Sequence, residues 1–162
     1  ASGVTGEESQ DWLRLGGEEG ACLFKGIQPN DVIQGTLGNC WFLAACASVA
    51  SYPGWVRQTF GRNAELTADG RYEVRLFNPA KKSFQYVTVS DEVPGSEDGT
   101  PSFSSVSVDS EIWPCLLEKA FAKTCGSYAK TEAGWPVWGM VYLCGGTGEE
   151  WSRQEDGDWA RQ

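Results

Sequence analysis

The 162-residue chain contains no histidine and only one methionine. Without an imidazole it lacks the side chain that most often serves as a base near neutral pH. Its six cysteines include no Cys-x-x-Cys pair, so the common structural zinc patterns are excluded as well. Basic residues are few, 13 against 22 acidic ones, and the formal charge is -9. That balance argues against nucleic acid or an anionic membrane as the natural partner, since both carry the same sign of charge. Long apolar runs are missing too. The stretch from Trp41 to Ala47 is far short of the roughly 20 residues that span a bilayer, so no membrane segment is expected. No basic segment followed by an apolar one marks a secretory signal, and the chain begins with Ala. It is expected to be an excised segment whose native N-terminus is out of view.

What is present is a globular composition: 41% hydrophobic, 22% charged, with eight Trp and twenty Gly. A chain of this length fits one ordinary domain with a real core. The acidic residues are scattered, as on a solubilising surface, but leave carboxylates available for a divalent cation. The cysteines stand at 22, 40, 46, 115, 125 and 144. An even count permits disulfides, yet a Trp- and Leu-rich domain of this size needs none, and free thiols in a cytoplasmic protein are expected. Cys46, Cys115 and Cys125 lie among apolar helical residues and read as core.

Residues 1–30 are Gly- and Glu-rich with isolated apolar anchors, and read as an extended, loosely ordered lead-in. From Cys40 to about Ser51 the apolar positions suit a buried helix, ended near Tyr52-Pro53-Gly54, with a second short helix around Trp55–Phe60. Arg71–Phe77 alternates Tyr72, Val74 and Leu76 with charged residues, as in a half-buried strand, and Phe84–Ser90 is a second β-rich run. The turn-like residues 78–82 join them as a hairpin. Ser90 to Ser105 reads as a loop. Asp109 is then expected to cap a helix whose stripe is Ile112, Trp113, Leu116, Leu117, Ala120 and Phe121. The polar residues after Gly145–Gly148 read as a surface exit. The fold class is α+β, helices around a small antiparallel sheet.

A cysteine on an apolar helix is usually a small hydrophobe. Three features set Cys40 apart. Gly35 and Gly38 precede it, letting the backbone turn sharply and approach a substrate. It falls at the very start of the helix, where unpaired N–H groups and the positive dipole end favour thiolate over thiol. Gln34, six residues upstream, offers an amide donor toward an oxyanion forming beside the Cys40 N–H.

The run Gln34-Gly-Thr-Leu-Gly-Asn-Cys-Trp-Phe-Leu-Ala-Ala45 resembles the active-site segment of the calpain family, Q-G-x-L-G-D-C-W-x-L-A-A. Glu111-Ile-Trp-Pro-Cys-Leu-Leu-Glu-Lys-Ala-Phe-Ala-Lys123 resembles that family's downstream helix, and Gly145-Gly146 with Glu150-Trp151 is a weaker third match. Order and spacing agree over roughly residues 22–151. The resemblance implies a papain-like cysteine endopeptidase in two subdomains, the first with Cys and the second with His and Asn. On it, residues 1–21 are a lead-in, 22–151 the first subdomain, and 152–162 a linker toward the second.

By position, the family's nucleophile falls on Cys40, its oxyanion-hole Gln on Gln34 and its cleft-lining Trp on Trp41, with Gly38 also at the cleft. The departures near the site are Asn39 for the usual Asp and Phe42 for the commoner Leu. The resemblance also implies calcium, with the loop Asp on Asp31, the helix-start Glu on Glu111 and backbone carbonyls on Gly26 and Phe24. Carboxylates plus loop carbonyls suit a hard cation. Taken singly, Asp31 after Asn30 is also ordinary turn chemistry, and Glu111 also suits a first helical turn. Pro29 stands where the family has a basic residue that couples calcium to the second subdomain, which makes calcium switching less secure than calcium binding.

A thiol protease needs a base, and papain-type enzymes place it about 130–150 residues after the Cys. Only 122 residues follow Cys40 here. The expected partners are therefore a second subdomain carrying His and Asn, and protein substrates. A helix N-terminus contributes at most about 2 kcal/mol, well below what an imidazolium partner does, so the isolated chain is predicted to have no turnover. A non-catalytic calpain-like scaffold or regulatory module is the other reading.

Overall fold

The computed structural model of the chain describes residues 12–35, 38–95, 101, 107, 109–155 and 157–161. Four helices and three two-stranded antiparallel sheets are found among them, an α+β arrangement. The helices are α1 (Cys40–Ala50), α2 (Pro53–Thr59), α3 (Trp113–Cys125) and α4 (Pro136–Cys144). The strands are β1 (Trp12–Arg14), β2 (Arg71–Asn78), β3 (Ser83–Ser90), β4 (Glu92–Pro94), β5 (Trp151–Arg153) and β6 (Trp159–Arg161), paired β1 with β4, β2 with β3 and β5 with β6.

Helix α1 is apolar on most of its circumference and is central. Phe42, Leu43, Ala45, Cys46, Val49 and Ala50 are buried, which is what a helix covered on several sides requires. It packs against α4, α3 and α2. The α1–α4 approach is close because Gly139 has no side chain: a Cβ there would lie 2.7 Å from the Ala45 Cβ. Phe42 of α1 and Phe121 of α3 stack, with ring centroids 3.9 Å apart and planes 8° from parallel. The β2–β3 hairpin runs in register from Arg71↔Ser90 to Asn78↔Ser83. Its Tyr72, Val74 and Leu76 point into the core, as the alternation in the sequence predicts.

The structure departs from the sequence reading in five places. Within the lead-in, the described part from residue 12 is pinned: Leu15, Leu23 and Ile27 join the core, and Trp12–Arg14 pairs with Glu92–Pro94. The loop expected over Ser90–Ser105 begins as strand β4, and most of its remainder lies outside the described residues. Asp109 does not cap α3. The helix starts at Trp113 after Ile112 with no side-chain cap, while Asp109 accepts a hydrogen bond from Lys25 Nζ at 2.9 Å. Ser110, at φ 61, turns the chain between them and separates Asp109 from the helix start. Helix α4 was not foreseen, and neither was the β5–β6 pair in the polar tail.

Candidate active site

Cys40 is the first residue of α1 and is exposed, although the helix behind it is buried. The preceding Asn39 supplies the carbonyl that accepts from Phe42 N at 2.9 Å and Leu43 N at 3.2 Å, closing the first turn. Its side chain makes no capping bond to that turn. It is turned inward instead, fully buried, with Nδ2 donating to Glu118 Oε1 of α3 at 2.5 Å. The N–H end of α1 therefore has no side-chain cap at the very residue that carries the exposed thiol.

Trp41 is half-buried and held on several sides. Its indole Nε1–H donates to the Thr131 carbonyl at 2.8 Å, and its ring meets Phe121 edge-on at 5.5 Å. Gly134 lies against the ring so closely that a Cβ there would be 2.5 Å from Trp41 Cε2. In the same segment Ala133, at φ 56, donates its N–H to the Gly38 carbonyl at 3.2 Å. Residues 131–134 thus grip both Gly38 and Trp41, on either side of Cys40. Sequence reasoning missed this clamp; Gly134 followed by Trp135-Pro136 was the available signal.

Gln34 is exposed, beyond the 3-10 turn Pro29–Asp31 that packs on α1. Residues 36 and 37, between it and Cys40, lie outside the described residues. Gln34 stands six residues before Cys40 in the chain.

Asp31 and Glu111 are brought together. Both are buried, at 2% and 0% exposure. Asp31 ends the 3-10 turn and accepts from Gln28 N at 2.8 Å. The chain at 22–26 runs beside the start of α3 through the Cys22–Glu111 bridge. There Glu111 Oε1 accepts from the N–H groups of Lys25 and of Gly26, the latter at 3.1 Å. Glu111 Oε2 is buried with no hydrogen-bond donor. Burial above all, and the facing Asp31 carboxylate, hold the Glu111 carboxyl above its usual range, against the two backbone donors. Gly26 wraps this carboxylate, while the Phe24 ring packs edge-on against Phe60 at 5.5 Å.

These elements match a known pattern along nearly the whole chain. The sequence model described as "Calpain family cysteine protease" fits residues 4–160. The chain belongs to the calpain family. It is 37% identical over 130 residues to the calpain-type cysteine protease ADL1 of Oryza sativa subsp. japonica, covering 80% of this chain and 6% of that protein. It is 38% identical over 121 residues to human calpain-12, covering 74% of this chain and 16% of that protein. It is 34% identical over 128 residues to mouse calpain-10, covering 76% of this chain and 19% of that protein. The chain therefore spans less than a fifth of the length of these relatives. No helix among the described residues is long and apolar enough to cross a membrane.

Proposed function

We propose that this chain is the nucleophile-bearing subdomain of a papain-like, calpain-type cysteine endopeptidase that acts on protein substrates. The observation that most supports this is the exposed thiol of Cys40 at the first residue of an otherwise buried helix. In the reaction Cys40 Sγ attacks the scissile carbonyl carbon and its proton passes to a base. The carbonyl oxygen becomes an oxyanion, which the Cys40 backbone N–H and the Gln34 side-chain amide stabilise. Collapse of that intermediate breaks the C–N bond, and the base returns the proton to the leaving amine. Water then hydrolyses the thioester and frees Cys40. Trp41 walls the cleft, and Gly38, held by Ala133, keeps the backbone beside the thiol small and in place. The chain has no His, so the base and its orienting Asn come from a second subdomain. The free thiols suit a reducing compartment, the cytoplasm.

The acid pair fits a calcium ion. Two buried carboxylates meet, and one oxygen, Glu111 Oε2, has no donor. Among the described residues no three His, Cys, Asp or Glu side chains converge. A cation held by Asp31 and Glu111 would complete its shell with loop carbonyls, for which Phe24 and Gly26 are the candidates, and with water. Bound there, it supplies positive charge that ties the segment leading to Cys40 to the start of α3.

The test is peptidase turnover of the full-length protein with calcium, parent against Cys40→Ala. Turnover should fall to background, a loss of about a millionfold where the assay reaches it. Cleavage that survives the substitution would overturn the reading and leave the chain a non-catalytic module.

A further inference from the structure

The segment that grips Gly38 and Trp41 also brings a carboxylate toward the thiol. Glu132 lies between its two fixed points. On one side the Thr131 carbonyl accepts from the Trp41 indole at 2.8 Å. On the other the Ala133 N–H donates to the Gly38 carbonyl at 3.2 Å. The Glu132 N–H itself donates to the Ala129 carbonyl at 3.4 Å, closing the 3-10 turn Ala129–Thr131. The backbone beneath this side chain is therefore held on both sides. The side chain lies over Gly38, with Cγ 4.0 Å from where a Gly38 Cβ would stand, and no other described atom outside the Gly38 neighbours comes within 4 Å of that point.

Glu132 is exposed, and no ion pair among the described residues takes its carboxylate. Lys130, the nearest cation along the chain, is turned elsewhere, with Nζ 3.5 Å from the Cβ position of Gly126. Trp135, three residues on and 58% exposed, adds an open aromatic ring to the same segment, and the face of such a ring also attracts cations.

We propose that Glu132 is a specificity-determining residue that selects protein substrates with a basic side chain, Lys or Arg, beside the scissile bond. The proposal rests on Cys40 being the nucleophile and names the substrate class of that site. Gly38 stands two residues before Cys40, and an extended substrate advances about 3.3 Å per residue. A carboxylate carried over Gly38 therefore meets side chains within the first one or two residues of the cleaved bond. It attracts Lys and Arg there and repels Asp and Glu. Because the carboxylate is exposed and screened, the result is a preference of several-fold and not an absolute requirement.

The first test reads the charge preference at Cys40 without turnover. Two methanethiosulfonate reagents of similar size, one bearing a trimethylammonium and one a sulfonate, are reacted with the full-length protein in calcium. The ratio of their labelling rates at Cys40, cation over anion, is taken by peptide mapping. Glu132→Gln should lower that ratio about fivefold, and Glu132→Lys should lower it by about as much again. High salt should draw the three proteins together. Glu19→Lys, the same change of net charge at an exposed turn, should stay near the parent. The second test walks one Arg along an otherwise uncharged peptide. In the parent kcat/KM should rise about fivefold at one position beside the cleaved bond, and Glu132→Gln should abolish the rise.

A labelling ratio unmoved by Glu132→Lys, or moved as far by Glu19→Lys, would overturn the proposal. So would an Arg walk that is flat in the parent or unchanged by Glu132→Gln. Failure of the nucleophile reading looks different: Cys40→Ala would go on cleaving, and the labelling ratio would still judge Glu132.

Discussion

Glu111 and Glu118, seven residues apart at the head and in the body of α3, are both buried, and both meet the segment that leads into Cys40. The partners differ. Glu118 accepts a hydrogen bond from the Asn39 amide, whose own Oδ1 is buried with no hydrogen-bond partner. Glu111 meets a second carboxylate, Asp31, and keeps an oxygen with no donor despite two backbone N–H groups on the other one. In the Glu111–Asp31 pair, burial first and then the facing Asp31 raise the Glu111 carboxyl above its usual range. Both contacts thus tie the segment leading into Cys40 to α3, Asn39 at the body of the helix and Asp31 at its head.

The largest effect should come from destroying the Asn39–Glu118 contact. Glu118→Ala removes the Asn39 acceptor from a buried site and leaves a cavity, costing about 3 kcal/mol. Thermal unfolding should fall by roughly 6–12 °C for a domain of this size. A shift within 1 °C would mean that the pair holds nothing. Next comes the Asp31–Glu111 pair, with the proposed calcium ion. Calcium at about a hundred times its Kd should raise stability by about 2.7 kcal/mol, read by calorimetry with and without chelator. Asp31→Asn should remove that gain while leaving the calcium-free protein as stable as the parent or more so. An equal calcium response in both proteins would remove the site. The smallest effect belongs to the ion pair at the rim of the acid site. Lys25 and Asp109 meet at 2.9 Å, but their side chains are 64% and 45% exposed. Lys25→Ala should not change the melting temperature measurably, because exposed pairs are screened. A large drop would show that the rim, and not the buried pair, holds the loop.

How these contacts were or were not legible follows from their range. The nucleophile helix, the β2–β3 hairpin and the stripe of α3 are written in local periodicity, and the structure has them where the spacing placed them. Cys40 was legible as a helix-start cysteine because Gly35 and Gly38 precede it and the apolar helical run begins with it, with Gln34 six residues upstream. The Asn39–Glu118 contact was not, since neither residue signals its partner across 79 positions. Glu118 lies within a run where every residue from 111 to 118 is buried, so no polar face marks it. Helix α4 contains Gly139, a residue that weakens a helical pattern. In the fold it is the price of letting α1 approach, since a Cβ would strike Ala45. Asp109 misled for the opposite reason: it is a good cap by type, but Ser110 and Pro114 set the helix start further on.

The central claim is that Cys40 is the nucleophile and that its activation comes from outside this chain. The most direct measurement is covalent labelling by a peptidyl epoxide, a reagent that requires an activated thiol, followed by peptide mapping. In the full-length protein with calcium, one equivalent should add at Cys40, and this chain alone should label slowly or not at all. Labelling at another cysteine of the full-length protein, or equally fast labelling of Cys40 in the isolated chain, would contradict the account.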